Sequence, residues 1–357
     1  MSHIAKPRVL HPGLEKNELG LTRRDYEGQM STLCAGCGHD SVTAALIEAI
    51  WALSIPPHRA GKMSGIGCSS KTPAYFMSES HGFNSVHGRM PSIATGANAA
   101  NRDLLYIGVS GDGDSLSIGL GQMCHAVRRN LNLLYIIENN GVYGLTKGQF
   151  SAAADIGSKS KRGVPNVQTP IDPVLLSLSI GATFVARGFS GDKEQLVPIF
   201  QAGIRHPGLA LIDVISPCVT FNDHVGSTKS YAYTRENFRE AAELAFVTPS
   251  DLVPEAEEIT ADIAPGETRD VEMHDGSMVR FRHTEHDYDP TDRERAYAYV
   301  SECRLAGEVA TGLLFIDPDS RDHHEVLGTV KTPLWDLPFE DLCPGTDTLD
   351  QVMKNYR

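Results

Sequence analysis

The chain of 357 residues is 41% hydrophobic and 22% charged, ordinary proportions for a globular protein with room for one large α/β domain or two modest ones. Its net charge of −13 is uneven, because residues 1–250 hold 20 acidic and 22 basic side chains whereas residues 251–357 hold 25 and 10. There is no basic bias for nucleic acid, no apolar run near the ~20 residues of a membrane span, and no apolar stretch of a secretion signal at the N-terminus, so a cytoplasmic protein is expected.

In chain order, residues 1–30 read as an irregular polar extension. SVTAALIEAIWAL at 41–53 has helical periodicity behind a polar cap at Asp40 and Ser41. LLYIGVS at 104–110 reads as a buried strand, and residues 115–130 as a helix ending in Arg128 and Arg129, cations that suit a helix C-terminus. LLYIIEN at 133–139 is a second buried strand, and strand–helix–strand order implies parallel pairing through a right-handed crossover. The alternation continues with a helix at 171–180, a strand at 182–188, a helix at 193–204 and a strand at 209–215. The expected fold is α/β, a doubly wound, mostly parallel sheet with helices on both faces, over residues 31–250. Residues 251–357 turn acidic and proline-punctuated and predict an irregular extension, with short strands in SMVRFRH and GLLFID.

Ligands of such sheets bind beyond the carboxyl ends of the strands, and there the chain reads VSGDGDSLSIG, 109–119. The G-x-x-x-x-G-K-[ST] phosphate loop is absent, and Gly111-x-Gly113 lacks the third glycine of a dinucleotide loop. Glycine backbone near a phosphate and a carboxylate fit together when a hard cation such as Mg²⁺ stands between them. Asp112 supplies the carboxylate. Further oxygen ligands are expected from ENNGVYGLTKGQ at 138–149, where Asn140 lies 28 residues on, the length of one crossover. The competing reading is a pair of turn glycines with a capping aspartate. Asp114 is expected to cap the following helix, whose N-terminus also favours anions.

Seven cysteines in a chain without a secretion signal argue for metal binding or burial rather than disulfides. Cys34 and Cys37 form a C-x-x-C, which suits zinc or an iron–sulfur cluster.

GDG followed one crossover later by NN resembles the thiamin diphosphate motif. That resemblance implies Mg²⁺ held by the Asp112 and Asn140 side chains and the Val142 carbonyl. Together with CAGCGHD, GIGCSS, HGR at 87–89 and SPCVTFN, it makes residues 31–245 resemble the small (β) subunit of 2-oxoacid:ferredoxin oxidoreductases. The resemblance implies a thiamin diphosphate-binding fold and one [4Fe-4S] cluster on Cys34, Cys37, Cys68 and Cys218, leaving Cys124, Cys303 and Cys343 structural. It implies cofactor contacts from Gly36, His39, the GIGCSS turn around position 66, His87, Gly111, Gly113, Asp114, Ser115, Asn140, Gly144, Leu145 and Thr146. Lys71, Arg89, Leu145 and Lys147 would form the substrate pocket. Pyruvate-restricted relatives often carry TGGQ where this chain has TKGQ, so Lys147 points to 2-oxoglutarate. The implied reaction is oxidative decarboxylation with coenzyme A, yielding succinyl-CoA and CO₂, and the implied acceptor is an external ferredoxin. A larger α subunit, in an (αβ)₂ assembly, would supply the glutamate for the aminopyrimidine ring. A non-redox thiamin decarboxylase leaves the four cysteines idle, and a zinc-stabilised or electron-transfer subunit leaves GDG…NN as ordinary turns.

Overall fold

LLYIIEN and LALIDVI, two of the most apolar runs, are the central strands of a sheet that has eight strands among the described residues, and both are buried at every position. Each fully buried Leu or Ile contributes roughly 1.5–3 kcal/mol. The computed structural model describes residues 11–159, 163–247, 268–272, 278–283, 288–343 and 345–356. The strands are β1 (Ala60–Ser64), β2 (His81–Asn84), β3 (Leu105–Gly111), β4 (Leu133–Asn139), β5 (Val142–Tyr143), β6 (Gln149–Phe150), β7 (Phe184–Phe189), β8 (Leu209–Ile215), β9 (Phe238–Glu240), β10 (Ala242–Val247), β11 (Thr268–Glu272), β12 (Met278–His283) and β13 (Val309–Ile316). The helices are α1 (Gly38–Ala52), α2 (Met90–Ala100), α3 (Leu120–Arg129), α4 (Pro173–Ser179), α5 (Lys193–Arg205), α6 (Tyr231–Asn237), α7 (Arg293–Ala306), α8 (His323–Leu327), α9 (Phe339–Leu342) and α10 (Thr346–Lys354).

The main sheet runs β2-β1-β3-β4-β8-β7-β13-β9, with β13 antiparallel to β7 and every other neighbouring pair parallel. The helices cover it, α1 against α5, α2 against α3 and α4 against α7. Because β1, β3, β4 and β8 are parallel and in register, their carboxyl ends emerge at one edge. Four loops therefore meet there, bearing Cys68, the GDG turn, Asn140 and Cys218.

Two local differences from the predicted elements have clear causes. The first helix starts earlier, at Gly38, with Cys37 at its N-cap, so Asp40 lies inside the first turn rather than before it. The predicted helix at 115–130 is two pieces. Residues Gly113–Ile118 form a π turn, closed by the Gly119 N–H donating to the Asp114 carbonyl five residues back (2.8 Å), and α3 follows. Such turns favour functional sites.

The C-terminal extension is less irregular than its composition suggests. α7 is capped by Asp292, and β13 is buried along seven of its eight residues as it covers the edge of β7. The strand expected in SMVRFRH is β12, in a separate antiparallel sheet with β10 and β11. Near the other terminus, Tyr26 is fully buried and its hydroxyl donates to the Ile55 carbonyl (2.9 Å), and Asn17 already donates to the Trp51 carbonyl (3.0 Å), so the extension packs onto α1 from Asn17 onward. Among the described residues no helix is long and apolar enough to cross a membrane.

Candidate active site

At the carboxyl edge a cleft is lined by Gly111, Asp112, Gly113 and Asp114, by Glu138, Asn140 and Val142, and by the loops at 66–69 and 143–146. His39 and His87 complete the lining. Position 66 is Ile66, and the glycines of that turn are Gly65 and Gly67.

Asp112 is 1% exposed and is held by donors from the ENN loop. The Gly141 N–H donates to its Oδ2 (3.0 Å), the Asn140 N–H reaches its Oδ1 (3.5 Å), and the Ser151 hydroxyl donates to Oδ2. Burial pushes this carboxyl up to about 6, against the pull of Ser151, Lys229 and Asn140. Such a carboxyl favours a cation beside it. The Asn140 side chain folds back so that its Oδ1 accepts from the Val142 N–H (3.0 Å).

Asp114 does something else. It is not the cap expected, since Asp112 precedes the π turn and Gly119 precedes α3. Its Oδ1 accepts from the Gly88 N–H (2.9 Å) and pairs with His87 Nδ1 (2.8 Å), while its Oδ2 accepts from the Ser110 hydroxyl (3.0 Å). A Cβ on Gly65 would sit 1.7 Å from Asp114 Oδ2, so glycine there lets the β1 loop close over the carboxylate. Asp114 thus ties the HGR loop to the GDG turn.

Behind the cleft lie His39 and Glu138, both buried. Burial pulls His39 down to about 4 and raises Glu138 well above the carboxylate range. The two approach to 3.4 Å, with His39 neutral at pH 7. His39 Nδ1 also meets the Ser216 hydroxyl (2.6 Å), and the Thr72 hydroxyl donates to Glu138 (3.0 Å). Glu138 was legible only as a charge at the end of an apolar run. Ser151 and Tyr143, whose hydroxyl donates to the Gly113 carbonyl (2.8 Å), carried no sequence signal.

Cys34, Cys37, Cys68 and Cys218 gather at the same edge. Burial is the main cause that raises the thiols of Cys37, to about 12, and of Cys68 and Cys218. Each of these three also feels the charge of others in the set, with Cys34 acting on Cys68 and Cys218. A Cβ on Gly144 would lie 3.4 Å from Cys68 Sγ and 3.6 Å from Cys218 Sγ, so these two thiols face Gly144 in the cleft wall. Among the described residues no three His, Cys, Asp or Glu side chains close around a single ion.

The remaining predicted residues lie outside the cleft lining. The Ser115 hydroxyl is bonded to Tyr135 (2.9 Å). Lys71 reaches the Thr32 hydroxyl (3.4 Å), and Arg89 is the exposed N-cap of α2. Lys147 is exposed beside the mouth residues Leu145 and Thr146, and its φ of 82° is unusual for a residue with a Cβ. Gly36 is in the C-x-x-C loop, where its carbonyl accepts from the Tyr231 hydroxyl (3.1 Å).

A family profile described as "Thiamine pyrophosphate enzyme, C-terminal TPP binding domain" matches residues 64–214, which include β3, β4, both motif loops and nearly all of β8. The cleft thus lies in a thiamin diphosphate-binding domain. The chain is 44% identical over 191 residues to the 2-oxoacid:ferredoxin oxidoreductase subunit beta of Saccharolobus solfataricus, covering 53% of this chain and 63% of that one. It is 36% identical over 189 residues to the 2-oxoglutarate synthase subunit KorB of Methanocaldococcus jannaschii, covering 53% and 69%. A solved structure of 2-oxoglutarate:ferredoxin oxidoreductase from Magnetococcus marinus, with 2-oxoglutarate, coenzyme A and succinyl-CoA bound, superposes with a TM-score of 0.68 at 28% identity, covering 87% of this chain and 92% of that one. The chain belongs to the family of 2-oxoacid:ferredoxin oxidoreductase β subunits, of the KorB type. The matched stretch spans about three fifths of the length of the Saccharolobus relative.

Proposed function

We propose that this chain is the β subunit of a 2-oxoglutarate:ferredoxin oxidoreductase. In this reading the enzyme oxidatively decarboxylates 2-oxoglutarate in the presence of coenzyme A and passes electrons singly through one [4Fe-4S] cluster to ferredoxin. The observation that carries it is the convergence of four thiols on the edge that bears the GDG and ENN loops.

Bound thiamin diphosphate supplies the electron sink for loss of CO₂. Asp112, Asn140 and the Val142 carbonyl would hold Mg²⁺ against the diphosphate, and such a cation would draw the raised carboxyl of buried Asp112 back down. Neutral His39 offers a hydrogen bond inside the cleft without adding charge. Cys34, Cys37, Cys68 and Cys218 would hold the cluster, and Gly144 leaves room for it. Of the cations the resemblance assigns to a substrate with two carboxylates, Lys147 stands beside the mouth residues Leu145 and Thr146, while Lys71 and Arg89 would have to turn toward it. An α subunit, in an (αβ)₂ assembly, would supply the glutamate that activates the aminopyrimidine ring.

The name of the Saccharolobus relative favours a second reading, use of 2-oxoacids more broadly, pyruvate included. Lys147→Gly in the anaerobically purified αβ complex separates the two. Losing a charge-assisted contact worth about 1.5–3 kcal/mol should lower kcat/KM for 2-oxoglutarate about 10- to 100-fold. Pyruvate turnover should change little. Equal losses on both substrates refute the assignment of Lys147. A colourless complex that binds zinc in place of iron refutes the redox reading.

A further inference from the structure

Beyond Leu327 the chain stops contributing to the core. A 3-10 turn at Leu334–Asp336, then α9 and α10, bury no residue. The arm is nonetheless apolar. Trp335 is 62% and Phe339 72% exposed, and Leu349, Val352, Met353 and Tyr356 are each between 44% and 83% exposed. Leu349, Val352 and Met353 stand at i, i+3 and i+4, one face of α10 and the spacing by which a helix anchors in a groove, and Tyr356 follows just past its C-cap Asn355. Asp347, Asp350 and Lys354 occupy other positions of α10. A helix of nine residues is too short to be stable alone in water, so docking is where this one gains its stability.

The root of the arm is fixed. Asp322 caps α8 through the Glu325 N–H (2.9 Å). His324, 3% exposed, bonds the Thr329 hydroxyl (2.7 Å) and Asn98 Oδ1 (3.0 Å), and the His323 N–H donates to the Asn130 carbonyl (3.0 Å). Asn130 lies just before β4 and Asn98 near the end of α2, so the arm leaves from the amino-terminal edge of the sheet, opposite the cleft.

We propose that residues 329–356 form a tether that seats the α10 stripe in an apolar, basic-rimmed groove of the α subunit. The proposal rests on the reading of this chain as one subunit of a larger enzyme. A second copy of this chain is the poorer occupant for two reasons. Two α10 helices side by side meet over only ~14 Å, short of the ~1,200 Å² that a stable interface buries. Moreover, residues 329–356 carry five acidic against two basic side chains, so two such arms repel. The same charge selects a basic rim.

The test uses the co-expressed αβ complex, with this chain ended after Val330, which keeps the Thr329 partner of His324, or carrying Leu349→Asp and Val352→Asp together. Both variants should keep the melting temperature and iron content of the β chain, because no core side chain is changed. Sedimentation should show the α–β Kd weakened at least about 100-fold, the effect of losing two anchors of roughly 1.4 kcal/mol or more each. 2-Oxoacid-dependent ferredoxin reduction should return at high subunit concentration, since the cleft is at the other edge. An unchanged Kd overturns the tether. So does loss of self-association by the β chain alone, which makes the occupant a second copy. Failure of the functional reading would look different, as a wild-type complex that assembles but holds no iron and turns over no 2-oxoacid.

Discussion

Lys62 stands in the middle of β1, 6% exposed, where an ammonium has little water. Its Nζ donates to the carbonyls of Phe76 (2.6 Å) and Met77 (3.0 Å) and sits 5.1 Å from the Phe76 ring centroid. These contacts hold the loop after the Cys68 turn, yet burial still pulls the group down to about 8, from an ordinary 10.5. Between those values the unfolded chain binds the proton more firmly than the folded one, so stability rises with pH from 8 to 10.5 and the gain is lost as pH falls back through 8. Urea unfolding at pH 7.5 and 10 should show a rise on the order of 1–3 kcal/mol. In Lys62→Met that component should vanish, and the difference between the two proteins isolates it from other groups. Asp112 and Asp114 show how far single residues were legible. Asp112 stood out because GDG and ENN are spaced by one crossover. Asp114 has the same neighbours in sequence, but its partners His87 and Gly88 reach it only through folding.

Beneath the ENN loop, β4, β7 and β8 are fastened by buried charge. Arg187 Nε donates to Asp213 Oδ2 (2.7 Å) and its Nη2 to Asp172 Oδ1 (2.6 Å), while Asn139 Nδ2 donates to Asp213 Oδ1 (3.0 Å). Arg187 and Asp213 are register partners on adjacent strands, so the pair fixes the end of the sheet that carries the site. Arg187→Met leaves the Asp213 carboxylate buried without its counter-charge, and should cost about 3–5 kcal/mol in denaturant unfolding. Replacing both residues by apolar ones should cost much less. The elements themselves were largely legible from periodicity. LLYIIEN and LALIDVI form strands over the residues predicted. The π turn was not legible, because the same side-chain pattern also suits an α-helix, and the turn widens where Asp114 is drawn toward Gly88.

At the scale of the molecule, the cleft lies in the thiamin diphosphate-binding domain with Cys68 in its lining, and its outer rim is open at Leu145 and Thr146. The isolated chain should therefore bind thiamin diphosphate only with a divalent cation, with affinity falling at least about tenfold on addition of EDTA, measured by calorimetry. It should show no 2-oxoacid-dependent electron transfer until the α subunit is added. Turnover by the isolated chain refutes the need for a partner. Asp112→Ala should abolish cation-dependent binding while leaving iron content unchanged.

What the sequence determined by itself is local and periodic. Apolar runs specify strands, their alternation with helices specifies a parallel sheet, and the GDG–ENN spacing points to one edge, because a crossover of that length returns the chain to the next parallel strand. Tertiary structure alone decided what is non-local. It brought Cys34 and Cys37, at the start of α1, to Cys68 and Cys218 at the ends of β1 and β8. It kept His39 neutral at pH 7 and raised the Glu138 carboxyl by burying both, and it set Asp114 to bracing loops. It also recruited β13, about a hundred residues downstream of β8, to cover the edge of β7. Such outcomes depend on which surfaces exclude water together, a property of the packed chain that the spacing of residues along it does not encode.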